Sequence, residues 1–212
     1  MCGRITLTCT YPVLQACFGI NHAFVLKPRF NIAPSQLVPV IKTAGQLSLL
    51  PWGLVPSWQR DRQKTGFIHA RLETVLEKPS FKRAYQKNRC VIVCDGYYEW
   101  RTIARAKQPY YLFLKTRQPF MLAGIFDRHE AEPGNWVETC AILTTQATQR
   151  LSHIHHRMPV ILENTDLESW LITGLPKNKL ENIQEKQEID YFPVSTRVNC
   201  PEYDSPACIQ RL

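Results

Sequence analysis

The sequence predicts an α+β fold, a curved, mostly antiparallel and barrel-like sheet with helices at its periphery. Three observations predict it. Between residues 90 and 144, five segments rich in Val, Ile, Tyr, Phe and Thr follow one another with turn signals between them. Helical patterns are short and mostly lie outside that section. No linker, repeat or low-complexity stretch interrupts the 212 residues, so residues 1–212 are expected to form one domain. Strands in runs with segregated helices argue for α+β rather than alternating α/β.

The elements follow in order. Residues 2–9 alternate small, polar and apolar side chains and read as a strand. Residues 12–18 read as a short helix stopped by Gly19. RFNIAPS (29–35) reads as a loop because of Asn31 and Pro34. Residues 37–42 and 47–52 form a hairpin around Ala44-Gly45. PWGLVPSW (51–58), with two prolines and two tryptophans, is a rigid loop. Residues 67–71 are extended, and 73–77 and 81–87 are helical. Strands are expected over 90–95, 97–101, 110–114, 120–126 and 137–144. Helices are expected over 146–151 and 166–172, the second capped by Thr165. Residues 178–186 are a polar helix or loop, and 190–194 are extended.

Composition narrows the function. There are 26 Lys and Arg against 18 Asp and Glu, a net charge of +8 spread along the chain. A folded basic face of this kind suits a polyanion such as nucleic acid. No apolar run approaches the ~20 residues that span a bilayer, and the N-terminus lacks the apolar core of a signal peptide. A cytoplasmic, nucleoid-associated location with no membrane partner is the expectation. None of the eight cysteines forms a CxxC pair, so neither a zinc site nor any cofactor is expected. The thiols should be reduced, with Cys90 and Cys94 on one side of a core strand.

Cys2 is the cysteine with chemical promise. A small second residue favours removal of the initiator Met1. The product carries an α-amine and a thiol two carbons apart. The amine has a reference pKa of about 7.7–8.0, so part of it is neutral and nucleophilic at physiological pH. It can form a Schiff base with an aldehyde, and the thiol can then close onto the same carbon as a thiazolidine. On position alone Cys2 is an incidental terminal residue. A strand that begins directly after it holds it in place.

Two further segments carry polar groups within apolar runs. In VIVCDGYYEW (91–100), Asp95-Gly96 reads as a tight turn and Glu99 lies between Tyr98 and Trp100. Desolvation there would raise its pKa and suit it to general acid or base work; its ordinary reading is a solvent-facing strand residue. SHIHHRMPVIL (152–162) gathers His153, His155, His156 and Arg157 before a buried strand, a density suited to proton transfer.

The motifs MCGR, RFNIAPS, PWGLVPSW, HARLET, DGYYEW, IHHRMP and VSTRVN occur in that order and resemble the SOS response-associated peptidase family over almost the whole chain. The resemblance implies a single domain of that family around a barrel-like core. It implies that mature Cys2 forms a thiazolidine crosslink with abasic sites in single-stranded DNA, shielding the lesion from strand cleavage, with the protein expected to be a monomer. Residue by residue, it implies that Glu99 assists proton transfer as the sugar opens and the Schiff base forms. It makes His155 an acid or base in formation and reversal, and Arg71 a phosphate contact. Arg4, Asn31, Pro34, Trp58, Thr144 and Arg157 match positions lining the DNA groove, with Trp58 and Pro34 suited to stacking or wedging.

One position departs from the pattern. His69 stands where the family has an asparagine that hydrogen-bonds near Cys2 and the sugar. It is expected in the active site, where an imidazole would make crosslinking pH-sensitive between about pH 5.5 and 7.5. Two other readings stay open. The first is an N-terminal-cysteine peptidase or amidohydrolase, since such amidotransferases also begin Met-Cys-Gly. The second is a non-catalytic module binding single-stranded nucleic acid, which would explain the charge but not Cys2, Glu99 and His155 together.

Overall fold

The computed structural model describes residues 2–21, 25–59 and 66–212; Met1, whose removal is expected from the sequence, lies outside them. β1 (Arg4–Leu7) begins two residues after Cys2, and α1 (Tyr11–Phe18) ends on Gly19 at φ 63°, where the absence of a Cβ relieves the left-handed turn. β2 (Arg29–Ile32) precedes the hairpin of β3 (Leu37–Thr43) and β4 (Gln46–Pro51). β5 (His69–Arg71) and α2 (Pro79–Lys87) lead into the long strands β6 (Arg89–Cys94), β7 (Gly96–Ile103), β8 (Ala106–Leu114), β9 (Phe120–Glu132) and β10 (Asn135–Gln146). β11 (Arg157–Pro159), β12 (Ile161–Leu162), α3 (Leu167–Ile172), α4 (Lys177–Lys186) and β13 (Ile189–Pro193) complete the order.

The strands form two sheets. One runs β13-β8-β7-β1-β2; the other runs β11-β10-β9-β6-β3-β4, with β12 on β9 and β5 on β10. Among the described residues every pairing of named strands is antiparallel except β5 with β10. The sheets do not close into a barrel, which corrects that part of the expected architecture. The chain passes from one sheet to the other at the β6–β7 corner, and in the larger sheet a single parallel bridge from Trp52, directly after β4, reaches Cys140 of β10. Asp95 builds that corner. Its carboxylate accepts the Thr6 and Thr8 hydroxyls and the backbone N–H groups of Thr8 and Cys9, tying the end of β1 to the start of β7. Gly96 follows because a Cβ would overlap the Tyr111 ring.

β6 is buried on both faces, with Cys90 and Cys94 as core thiols, so it reads as an unbroken apolar run rather than an alternation. β7 separates two apolar clusters: Tyr97 belongs to the main core, and Tyr98 to a second one closed by Val194, Val198 and Cys208.

Several local expectations are corrected. Residues 29–32 are a strand, because Asn31 makes tertiary bonds and Pro34 falls in the turn after it. Residues 73–77 form turns, and 146–151 form the end of β10 followed by turns. Segments this short nucleate helix poorly without a face to pack. Thr165 does not cap α3; the N-cap is Asp166, without a side-chain capping bond. No helix among the described residues is long and apolar enough to cross a membrane.

Candidate active site

Cys2 is fully buried where the two sheets meet. Its backbone N–H donates to Glu99 Oε1 at 2.5 Å, from the β7 sheet, and its carbonyl lies 2.7 Å from His69 Nε2, on β5 of the other sheet. Residues 67 and 97 positions away in sequence thus hold the two backbone polar groups of one residue. Register explains the Glu99 contact. β1 runs antiparallel to β7 with Ile5 opposite Tyr97 and Arg4 opposite Tyr98, so extending the ladder backwards brings the start of the chain alongside Glu99.

Glu99 is 2% exposed, and burial holds its pKa above the ordinary carboxylate range. The cause differs from the one expected. Alternate residues on a strand face opposite sides, so Tyr98 and Trp100 point into the second cluster, away from Glu99. Tyr98 donates to the Phe30 carbonyl and Trp100 to Asn199 Oδ1. Glu99 shares the inner face with Tyr97, and that face desolvates it. Burial also pushes the Cys2 thiol well above its ordinary value, with the Glu99 charge adding to it.

His155 Nδ1 stands 3.9 Å from Glu99 Oε1. That is longer than a direct hydrogen bond and short enough for a bridging water or hydroxyl. Nδ1 accepts the Arg157 backbone N–H at 3.0 Å, which assigns the proton of the neutral ring to Nε2. Burial lowers the pKa of His155, favouring that neutral form. His156 stacks on His155 with centroids 4.4 Å apart, whereas His153 packs on Tyr191, so one histidine of the three reaches Glu99.

Burial pushes the pKa of His69 down to about 4, despite the favourable bond to the Cys2 carbonyl. Trp52, fully buried and donating to the Ile68 carbonyl, meets it edge-on. His69 is therefore neutral throughout pH 5.5–7.5, and the expected titration in that window is corrected: desolvation outweighs the reference value of ~6.5.

The residues expected along a DNA groove fall into two groups. Arg71 is exposed on the same face of β5 as His69, Trp58 is 58% exposed on its loop, and Pro34 is half-buried in the turn after β2. Thr144, Asn31 and Arg157 are buried. Asn31 accepts from Arg4 and donates to the carbonyls of Val198, Cys200 and Tyr203. Arg4 is likewise drawn inward, onto the carbonyls of Val198 and Asn199. Arg157 is 8% exposed and makes two parallel bonds to Glu73, at 2.6 and 2.8 Å, and a third to the Thr144 carbonyl at 2.7 Å. Its two terminal nitrogens are occupied, so it supports the turn that carries His155.

Glu73 is a residue that sequence reasoning missed. Burial would raise its pKa, but the Arg157 hydrogen bonds and charge hold it low. A signal was available, since Glu73 stands two residues after Arg71 in HARLET. Among the described residues no group of three or more His, Cys, Asp or Glu is arranged to hold a metal ion.

Comparison with known proteins adds an independent line. A family model described as SOS response associated peptidase matches residues 1–201. The abasic site processing protein YoqW of Bacillus subtilis is 35% identical over 226 residues, covering 99% of both chains. The abasic site processing protein HMCES of Gallus gallus is 31% identical, covering 86% of this chain and 66% of that one. A crystal structure of a protein from Bacteroides thetaiotaomicron aligns over the full length of both chains with a TM-score of 0.85 at 26% identity. One from Bordetella bronchiseptica, at 19% identity and a TM-score of 0.76, shares the fold.

Proposed function

The chain belongs to the SOS response associated peptidase family, and from that premise we propose that it processes abasic sites by forming a covalent thiazolidine between Cys2 and the sugar aldehyde in single-stranded DNA. The observation that carries the reading is the 2.5 Å bond between the Cys2 nitrogen and Glu99 Oε1. Once Met1 is removed, that nitrogen is the reacting amine, and a buried carboxylate stands on it.

The chemistry then follows from the groups present. The abasic sugar opens to its aldehyde as the bond between C1′ and the ring oxygen breaks, the C1′ hydroxyl giving up its proton and the ring oxygen gaining one. Glu99 takes a proton from the Cys2 ammonium, and the neutral amine adds to the aldehyde carbon. The protonated Glu99, whose raised pKa suits it as a donor, gives that proton to the hydroxyl that leaves as water. The Cys2 sulfur adds to the imine carbon, the C=N electron pair passes to nitrogen, and the thiol proton ends on that nitrogen. His155, close to Glu99 and neutral, is suited to relay protons to and from the sugar oxygen. His69 holds the Cys2 carbonyl and thereby the direction of the α-amine.

DNA is the partner in this reading, and we take residues 1–212 as one functional domain. The net charge of +8 and the exposed Arg71 and Trp58 support a basic face with a stacking platform. A purely binding module leaves the Cys2–Glu99 bond without a purpose.

The test is to mix purified protein, with Met1 removal verified by mass, with an oligonucleotide carrying one abasic site. A band shifted on a denaturing gel is expected. Cys2→Ala should abolish it and leave non-covalent binding nearly intact, and Cys2→Ser should give at most a labile adduct. A protein that retains Met1 and still crosslinks normally would refute the thiazolidine.

A further inference from the structure

Tyr97 is a buried tyrosine within DGYYEW to which the mechanism above gives no role. It lies two residues before Glu99 on the same inner face of β7 and is 1% exposed. Its ring fills the main core, but its hydroxyl has no hydrogen-bond partner among the described residues. The other buried tyrosines of the same region are satisfied: Tyr98 bonds the Phe30 carbonyl, and Tyr111 lies 3.2 Å from the Thr6 hydroxyl. A buried polar atom left unpaired costs free energy and calls for an explanation, one of which is a role in chemistry.

The position of Tyr97 indicates which group it serves. Tyr97 pairs with Ile5, three residues after Cys2, while Glu99 bonds the Cys2 nitrogen. The inner face of β7 therefore presents the carboxylate at the amine, and the phenol further into the core. Cys2 is fully buried and packs into the same main core as Tyr97, so its thiol is enclosed with the Tyr97 ring and not exposed to solvent. Burial raises the Tyr97 pKa well above its ordinary value, and negative charge on Cys2 and on Glu99 raises it further, as expected of a phenol that shares their enclosure.

We propose that the Tyr97 hydroxyl is a positioning group for the Cys2 sulfur, donating a hydrogen bond to it as it closes onto the imine. The inference rests on the crosslinking reading. The bond that forms is S–C, the C=N pair goes to nitrogen, and the thiol proton is transferred to that nitrogen. Tyr97 keeps its own proton and steadies the negative charge that builds on sulfur as the thiol proton leaves, before the S–C bond consumes it. The first step, imine formation at the amine, does not involve it.

The experiment separates the two steps in Tyr97→Phe, which keeps the ring and removes only the unpartnered hydroxyl, so the fold should be retained. Imine is measured by cyanoborohydride trapping on an abasic oligonucleotide, and ring closure by the heat-stable adduct formed without reductant. The pH dependence of Cys2 alkylation by iodoacetamide provides a third readout. Expected results are trapping within twofold of the parent, ring closure slowed about tenfold, and alkylation shifted to higher pH. Ring closure at the parental rate, or equal slowing of both steps, overturns the role of Tyr97 while leaving crosslinking intact. A parent protein that forms neither adduct overturns the crosslinking reading and this inference with it.

Discussion

His69 Nε2 stands 2.7 Å from the carbonyl oxygen of Cys2, so the side chain that departs from the family pattern is bonded to the residue proposed as nucleophile. The carbonyl accepts, which places the proton of the neutral ring on Nε2. An asparagine amide can donate the same bond. What an imidazole adds is charge, and burial removes that by pushing its pKa down to about 4. His69→Asn should therefore give crosslinking rates whose pH profiles run parallel to the parent's between pH 5.5 and 8. Rates that diverge by more than about threefold across that window would show that His69 titrates there.

The same residue should appear in stability. Its folded pKa of about 4 lies below the unfolded reference of ~6.5, so the unfolded chain binds the proton first. Stability is unaffected above pH 6.5 and falls as pH drops from 6.5 towards 4, by up to about 3 kcal/mol from this group. His69→Asn should remove that loss. Thermal unfolding at pH 7.5 and pH 5 tests it. The parent's melting temperature should drop more than the variant's between the two, and equal drops would contradict the buried neutral imidazole.

Glu99 should show opposite effects on stability and activity. Its pKa is raised in the folded protein, so the fold favours its protonated form, and that stabilisation is lost as pH rises through the folded pKa. Wherever it is ionised, the buried carboxylate weakens the fold. Glu99→Gln keeps an acceptor for the Cys2 nitrogen and removes the charge. It should raise the melting temperature at pH 7.5 yet slow crosslinking by about 10²- to 10⁴-fold, the usual contribution of a positioned acid or base. Single-stranded DNA affinity should stay within about twofold. A variant that crosslinks at the parental rate would remove Glu99 from the chemistry.

Much of this arrangement was legible in the sequence. The strands from residue 89 to 146 declare themselves by β-branched and aromatic content, and α1 by its glycine stop. Cys2, Glu99, His155 and His69 are recoverable as a set from motifs, and the structure brings all four together. What the sequence could not carry was direction. Arg4, Asn31 and Arg157 are polar residues in family motifs, yet each turns inward onto carbonyls or Glu73, because distant segments supply the partners. Strand periodicity could have placed Glu99 opposite Tyr98 and Trp100. The His69 pKa depends on the packing of Trp52 and Cys2 around it, which no spacing in the sequence contains. The corner between the two sheets depends on Asp95, whose partners come from β1 and the residues just after it.

The two arginines expected on DNA should separate in experiment. Arg71 is exposed on β5, so Arg71→Gln should leave the melting temperature within about 1 °C, as surface changes do. It should weaken single-stranded DNA binding and make the log–log salt slope shallower by roughly 0.7, the loss of one phosphate contact from a slope of about −3 for four. Arg157 is buried on Glu73 and the Thr144 carbonyl. Arg157→Gln leaves a half-buried carboxylate without its partner, costing about 2–4 kcal/mol after allowing for the part of Glu73 that water reaches. For a chain of this size that lowers the melting temperature by roughly 5–12 °C. The salt slope should be nearly unchanged. Crosslinking should fall even where the variant is folded, because the Arg157 backbone N–H that orients His155 loses its anchor. Glu73→Gln should reproduce the loss of stability and of rate, since it breaks the same pair from the other side. If Arg157→Gln instead left stability intact and made the slope shallower by 0.7, its guanidinium would be meeting a phosphate and not Glu73.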